Sequence, residues 1–225
     1  MFIIRTKVCY IFIITIMTVA SSCRQQAQHA LTAEACLEAA EAALANDSIR
    51  QGETLLRKTI RLASESEDWH TTYIAYLRLA SSLSQSNSGE ALRLTKQALT
   101  VYEQHPDDER NQVILLDYAG TYAAQVAFDA EAPFDEALAL TRRAYDIAKE
   151  NAMTDLMCQT LTSLSNIAWA QDDYELALDY ARQALELPDT TELRQGALQV
   201  LARCYLSLDM LDSAETAYRQ IGPGG

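Results

Sequence analysis

Side chains able to do chemistry are few and scattered in this chain of 225 residues. Histidine is confined to His29, His70 and His105, each in a linker or at a helix edge, and none has a partner at metal-ligand spacing. The five cysteines form no CxxC pair, and the chain holds no HExxH, G-x-S-x-G or glycine-rich phosphate loop. Acidic pairs such as Asp107-Asp108 and Asp172-Asp173 have the charge for acid–base work. Both fall between helical segments, however, where carboxylates cap helix ends and meet solvent. No assembled constellation of nucleophile, base and electrophile emerges, so no catalytic, metal or cofactor site is expected and the chain does not read as an enzyme.

One cysteine has a chemical context of its own. Arg5 and Lys7 precede an apolar run from Val8 to Ala20, followed by small residues up to Cys23. That order is n-region, h-region and cleavage site. The run is 13 residues, short of the roughly 20 that a helix needs to cross a bilayer, so a cleaved signal fits better than a permanent span. Ala20-Ser21-Ser22-Cys23 resembles the lipobox of bacterial lipoproteins, with Ala20 where leucine is usual. The resemblance implies a signal peptide over 1–22, a lipid on Cys23 that anchors the chain to a membrane, and a short lipidated linker over 23–30. An ordinary signal peptide with a chance cysteine is the alternative. Arg24 rather than Asp after the cysteine implies, by the same resemblance, the outer membrane, facing the periplasm.

Cleavage would remove two cations and no acid, taking the net charge from −13 to −15. Such a surface repels nucleic-acid phosphates, which are held by clustered Lys and Arg, and favours cationic partners. With Cys23 lipidated, Cys36, Cys158 and Cys204 remain, an odd set that implies no disulfide framework. Each has apolar neighbours in a helical pattern and reads as a small buried side chain.

The elements that must position everything else are helices. Pro106, Pro133 and Pro188 fall between apolar-periodic segments, and Pro223 lies in a glycine-rich tail, 222–225. Between them Ala, Leu, Glu, Gln and Arg dominate, with apolar residues three and four apart. This predicts helices over 31–45, 49–65, 69–85, 89–104, 109–129, 134–150, 154–171, 174–187, 191–208 and 211–221. Start signals agree: Asp47-Ser48 with Gln51 suits a capping box, and Asn87-Ser88 and Asp172-Asp173 suit N-caps.

The ten segments alternate as five pairs. Small residues anchor the second members at Gly52, Ala91, Ala137, Ala177 and Ala214, at spacings of 39, 46, 40 and 37. In the fourth pair Leu161-x-x-Leu164-Ser165 precedes Tyr174-x-x-Ala177 and Ala184, and in the fifth Leu198-x-x-Leu201-Ala202-x-x-Tyr205 precedes Ala214 and Tyr218. The second offers Tyr76-x-x-Leu79-Ala80-x-x-Leu83 before Ala91 and Ala98. The third has Ala119-Gly120 in an ambiguous register, and 128–133 looks like a short insertion.

These copies resemble the tetratricopeptide repeat over residues 31 to 221, with spacings longer than the usual 34. The resemblance implies an all-α, right-handed α-solenoid of about five helix pairs; a plain helical bundle is the alternative. It also implies a concave face lined by the first helix of each pair, suited to protein or peptide partners. The pattern places Asp117, Thr121, Gln125, Gln159, Thr162, Asn166, Trp169, Gln199 and Arg203 on or near that face. Trp169 suits either a binding hot spot or packing between repeats. The successive cations with which some members clamp a partner's terminal carboxylate are absent apart from Arg203. The expected function is a lipid-anchored envelope scaffold or adaptor. The alternative is the sensory array of an envelope signalling regulator whose C-terminal part is missing, since the last helix ends in Gly222-Pro223-Gly224-Gly225 without a polar capping helix.

Overall fold

The computed structural model describes residues 32–188 and 191–221. Among these, all regular structure is helical: α1 (Ala33–Ala45), α2 (Ile49–Glu65), α3 (Trp69–Leu83), α4 (Ser88–Gln104), α5 (Glu109–Asp129), α6 (Asp135–Glu150), α7 (Thr154–Ala170), α8 (Tyr174–Glu186), α9 (Thr191–Ser207) and α10 (Leu211–Ile221). The segments read from apolar periodicity differ from these bounds by two residues at most. The leader expected over 1–22, Cys23 and the tail 222–225 lie outside the described residues.

The chain divides into two compact units, one up to Ala75 and one from Tyr76 onward. In the first, α1 and α2 bury Cys36, Ala40 and Ala43 with Leu56, Thr59 and Ala63. Gly52 permits a close approach: a methyl there would come 2.6 Å from Leu44 Cγ. In the second, the pairs α5–α6, α7–α8 and α9–α10 bury alanine at the crossings, with Ala137, Ala144, Ala177, Ala181, Ala202 and Ala214 almost without exposure. Short side chains there let helix axes approach, which larger ones would forbid.

The third register, ambiguous in sequence, is settled by Gly120. A methyl at residue 120 would collide with Thr141 Oγ1 and come within 3.1 Å of Ala137 O and 3.2 Å of Thr141 N. Gly120 therefore holds the crossing position that Ser165 holds in the next pair, where the Ser165 hydroxyl donates to Ala177 O at 2.6 Å. Part of the long spacing of 46 between Ala91 and Ala137 is taken up by α5 itself, which at 21 residues is longer than α3, α7 or α9.

Six turns use one device. Asp47, Glu67, Glu131, Ala152, Asp172 and Asp209 all have φ between 50° and 60°. In each, the following N–H reaches back to a carbonyl in the last turn of the preceding helix, as Met153 N does to Ala148 O at 2.8 Å and Asp173 N to Ala168 O at 3.0 Å. This is the Schellman closure, usually made with glycine.

The capping box expected at Ser48 does not form: Ser48 enters α2 at φ −85°, ψ 57°, close to the angles of Asp173, but its hydroxyl caps nothing. It lies instead 3.5 Å from Asn46 O. The caps at Asn87 and Asp173 form as expected, accepting from Glu90 N and Leu176 N.

Candidate groove on the first helices of the C-terminal repeats

The candidate residues lie on α5, α7 and α9, the first helices of consecutive pairs in the second unit. Successive positions on one face of a helix are three and four residues apart. Thr121 and Gln125 on α5, and Thr162, Asn166 and Trp169 on α7, obey that spacing and share a surface. Two adjoining cavities open along it. One, of about 360 Å³, lies between α5 and α7 and is lined by Thr121, Gln125, Asn166, Trp169 and Arg203 among others. The second, of about 420 Å³, runs between α7 and the last pair and is lined by Thr162, Asn166, Gln199 and Arg203 with Tyr218 and Ile221. Both volumes are in the range of small ligand sites.

Asn166 and Arg203 belong to both cavities. The Arg203 guanidinium donates through Nη2 to Asn166 Oδ1 and lies over the Trp169 ring, its Cζ 4.6 Å from the centroid. Its Nε is buried without a partner. Asn166 in turn donates to Thr162 O at 3.1 Å. Trp169 donates its indole N–H to Ser207 Oγ at 3.1 Å and packs against the buried cluster around Ala168, Leu201 and Cys204. Trp169 thus both packs between repeats and lines a cavity.

Two of the candidates behave differently. Asp117 is buried at 3% exposure, so it is not a contact on an open face. Its Oδ2 accepts from Gln159 Nε2 at 2.7 Å, while Oδ1 has no partner. Burial pushes the carboxyl above its ordinary range, against the Gln159 hydrogen bond that favours its charged form. Here α5 turns its flank to α7, and residue 117, one turn before Thr121, is enclosed by that packing. Gln159 is half-buried over it. Together they form a polar link between α5 and α7 rather than part of the open groove.

Several groove residues were not singled out by sequence. Phe128 lines the first cavity with 57% of its surface exposed, although in sequence it opens the stretch 128–133 that looks like an insertion. Continuing the spacing from Thr121 and Gln125 by three reaches it. Ser163, Ala124 and Val200 are small or apolar positions between the candidates and give no sequence signal of their own.

Across the rim, Arg110 and Asp155 pair through both guanidinium nitrogens, Nη1 at 3.3 Å from Oδ1, tying the start of α5 to the start of α7. The ion pair holds the Asp155 carboxyl below its usual range. Cys158 and Cys204 are buried and free. Cys158 points its thiol at Ala184 O, 3.6 Å away, and burial pushes the Cys204 thiol up to about 11. Among the described residues no cluster of three or more His, Cys, Asp or Glu could hold a metal, and no helix is long and apolar enough to cross a membrane.

The same arrangement of helices recurs in solved structures. The fold is that of TPR-like repeats. The nearly identical TPR-like repeats of a Podosopora anserina putative kinesin light chain are 14% identical, with 86% of this chain and 94% of that one covered and a TM-score of 0.66. The signal transduction ATPase (STAND) with a tetratricopeptide repeat sensor, PH0952 from Pyrococcus horikoshii, is 18% identical over 84% of this chain and 29% of its own, TM-score 0.64. NprR, solved with its cognate peptide NprX, is 18% identical over 83% of this chain and 53% of its own, TM-score 0.62. No family model and no curated protein matches the sequence. With the plain bundle set aside, the chain is an all-α solenoid of TPR-like pairs.

Proposed function

We propose that this protein is a non-catalytic scaffold that holds an extended polypeptide segment in the groove over α5, α7 and α9, tethered to the bacterial outer membrane by lipid on Cys23 and facing the periplasm. The observation that carries the binding role is the pair of adjoining cavities meeting at Asn166 and Arg203. A continuous trough with side-chain pockets suits a linear ligand better than a compact one. Thr121 and Gln199 make no side-chain hydrogen bond among the described residues, so they can pair with a peptide backbone, while Phe128 and Trp169 supply contact area. A solved complex of NprR, which is similar in fold, with its cognate peptide NprX supports this reading. The anchor rests on the leader and the Ala-Ser-Ser-Cys sequence.

A second reading, a sensory array, is favoured by the description of the Pyrococcus repeats as a sensor and of NprR as a quorum sensor. Photo-cross-linking in cells tests the first. A photoreactive side chain at Thr121 or Gln199 should give discrete polypeptide adducts, and one at exposed Arg142, on α6, should not. Equal labelling from all three, or none from the groove positions, overturns the assignment. Mass spectrometry of the same purified protein reads the N-terminus, where an unmodified residue other than acylated Cys23 removes the anchor.

A further inference from the structure

Charge is distributed unevenly between this groove and the rest of the molecule. The chain carries 31 acidic residues against 18 Lys and Arg, yet neither cavity is lined by any Asp or Glu, and the single charged residue in both linings is Arg203. The acids closest along α5 are already engaged. Asp117 is buried under Gln159, and Asp129, next to Phe128, accepts from Gln125 at 2.9 Å and from Ser88 at 3.1 Å.

A guanidinium has five N–H donors. Among the described residues Arg203 gives a hydrogen bond only to the neutral Asn166, and it rests on a neutral ring. A half-buried cation with neutral neighbours is a site for an anion, because a carboxylate matches its planar fork. Apolar surface flanks it on both sides: Phe128, Ile167 and Trp169 in one cavity, Val200, Tyr218 and Ile221 in the other. The cavities lie in successive inter-helix furrows, and packed helices are about 8–10 Å apart. A chain in the polyproline II conformation advances about 3.1 Å per residue with three residues per turn, so side chains three apart lie on one face and span that distance.

Building on the polypeptide-binding role above, we propose that the groove selects an acidic segment in which an internal Asp or Glu lies between two large apolar side chains three residues apart. The carboxylate seats on Arg203 and the apolar side chains fill the cavities on either side.

The test uses the full mature chain without lipid and an array of blocked decapeptides, acetylated and amidated, holding Leu-Glu-Ala-Leu or Leu-Ala-Glu-Leu at the centre. Companion sets carry Gln or Lys for Glu, Ala for either Leu, or a free C-terminus. Glu-containing blocked peptides should bind at least tenfold more tightly than their Gln counterparts, and Lys should abolish binding. Arg203→Gln should erase the preference for Glu over Gln, while Arg203→Lys, which keeps the charge but not the fork, should retain part of it. Melting curves accompany both variants; if Arg203→Gln unfolds, the comparison of Glu with Gln peptides on the wild type decides alone. Binding that ignores Glu, that needs the free C-terminus, or that survives Arg203→Gln with its preference intact overturns the inference and leaves the polypeptide groove standing. No binding of any peptide, together with no cross-linked adduct from Thr121 or Gln199, overturns both.

Discussion

Where α5 crosses α6, the contact is made by a residue with no side chain, Gly120, against Thr141; where α7 crosses α8, Ser165 takes that place and donates a hydrogen bond to Ala177 O at 2.6 Å. The two crossings answer the same steric demand, since both need something small where helices close. They differ in what becomes of the polar atoms. Thr141 Oγ1 is buried without a partner, as is Asp117 Oδ1 one turn before Gly120. Around the fourth crossing the buried hydroxyls are satisfied, Thr160 donating to Leu156 O at 2.8 Å. An unpaired buried polar group costs about 1–3 kcal/mol. The third pair is therefore the less comfortable of the two, and its first helix forms one wall of the groove.

Substitutions at the two small residues break the comparison most directly. Gly120→Ala should lower stability by about 3 kcal/mol, because the new methyl meets backbone atoms of α6 that can yield only if the helices part. Ser165→Ala removes one hydrogen bond and should cost about 1 kcal/mol. Adding Thr141→Ala to Gly120→Ala should recover part of the loss, since the side-chain collision goes while the 3.1 Å approach to Ala137 O stays. Denaturant unfolding of the four proteins reads all of this. A Gly120→Ala protein no less stable than Ser165→Ala would mean that the third crossing is not close.

The next effect belongs to Asp117. Its carboxyl is raised in the folded chain by burial, so the folded state holds the proton more tightly than the unfolded one. The stability associated with this group is complete below the unfolded value, near pH 4. It is lost as pH rises from there through the raised folded value. Asp117→Asn keeps an oxygen for Gln159 and cannot ionise. Variant and wild type should therefore be close in stability at pH 3.5, with the variant gaining on the wild type as pH climbs to 8. Melting at both pH values checks this, and a constant difference would show that Asp117 does not titrate across folding.

What could be read from sequence follows from which interactions are local. Apolar spacing and breakers lie within one segment, so helix bounds were legible to within two residues, and Asn87 and Asp173 were legible as caps. Ser48 failed because its hydroxyl turns to Asn46 O, whereas Asp173, after the same turn and at nearly the same angles, reaches Leu176 N with its longer side chain. The lining of the two cavities was legible where spacing suffices, at Thr121, Gln125, Thr162, Asn166, Trp169, Gln199 and Arg203. It was not at Asp117, because burial depends on how closely α5 meets α7, and that distance is set by side chains far apart in sequence. The stacking of Arg203 on Trp169, 34 positions apart, is likewise a product of packing between pairs.

The turns give the smallest effect. Ala152 joins the third pair to the fourth at φ 52°, and Asp172 joins the helices of the fourth at φ 60°. An alanine in this left-handed region carries a Cβ penalty of about 1–2 kcal/mol, whereas aspartate tolerates it better. Glycine removes the clash but gives the unfolded chain more freedom, at about 0.5–1 kcal/mol. The balance for Ala152→Gly is a gain of about 0.5–1 kcal/mol, with the Met153 N to Ala148 O closure retained. Asp172→Gly should gain nothing, because it also gives up the hydrogen bond that Tyr174 donates to Asp172 Oδ1 at 2.5 Å. If thermal melting instead finds Asp172→Gly stabilised and Ala152→Gly not, the strain at the two turns is distributed the other way, and the third pair's disadvantage is confined to its crossing.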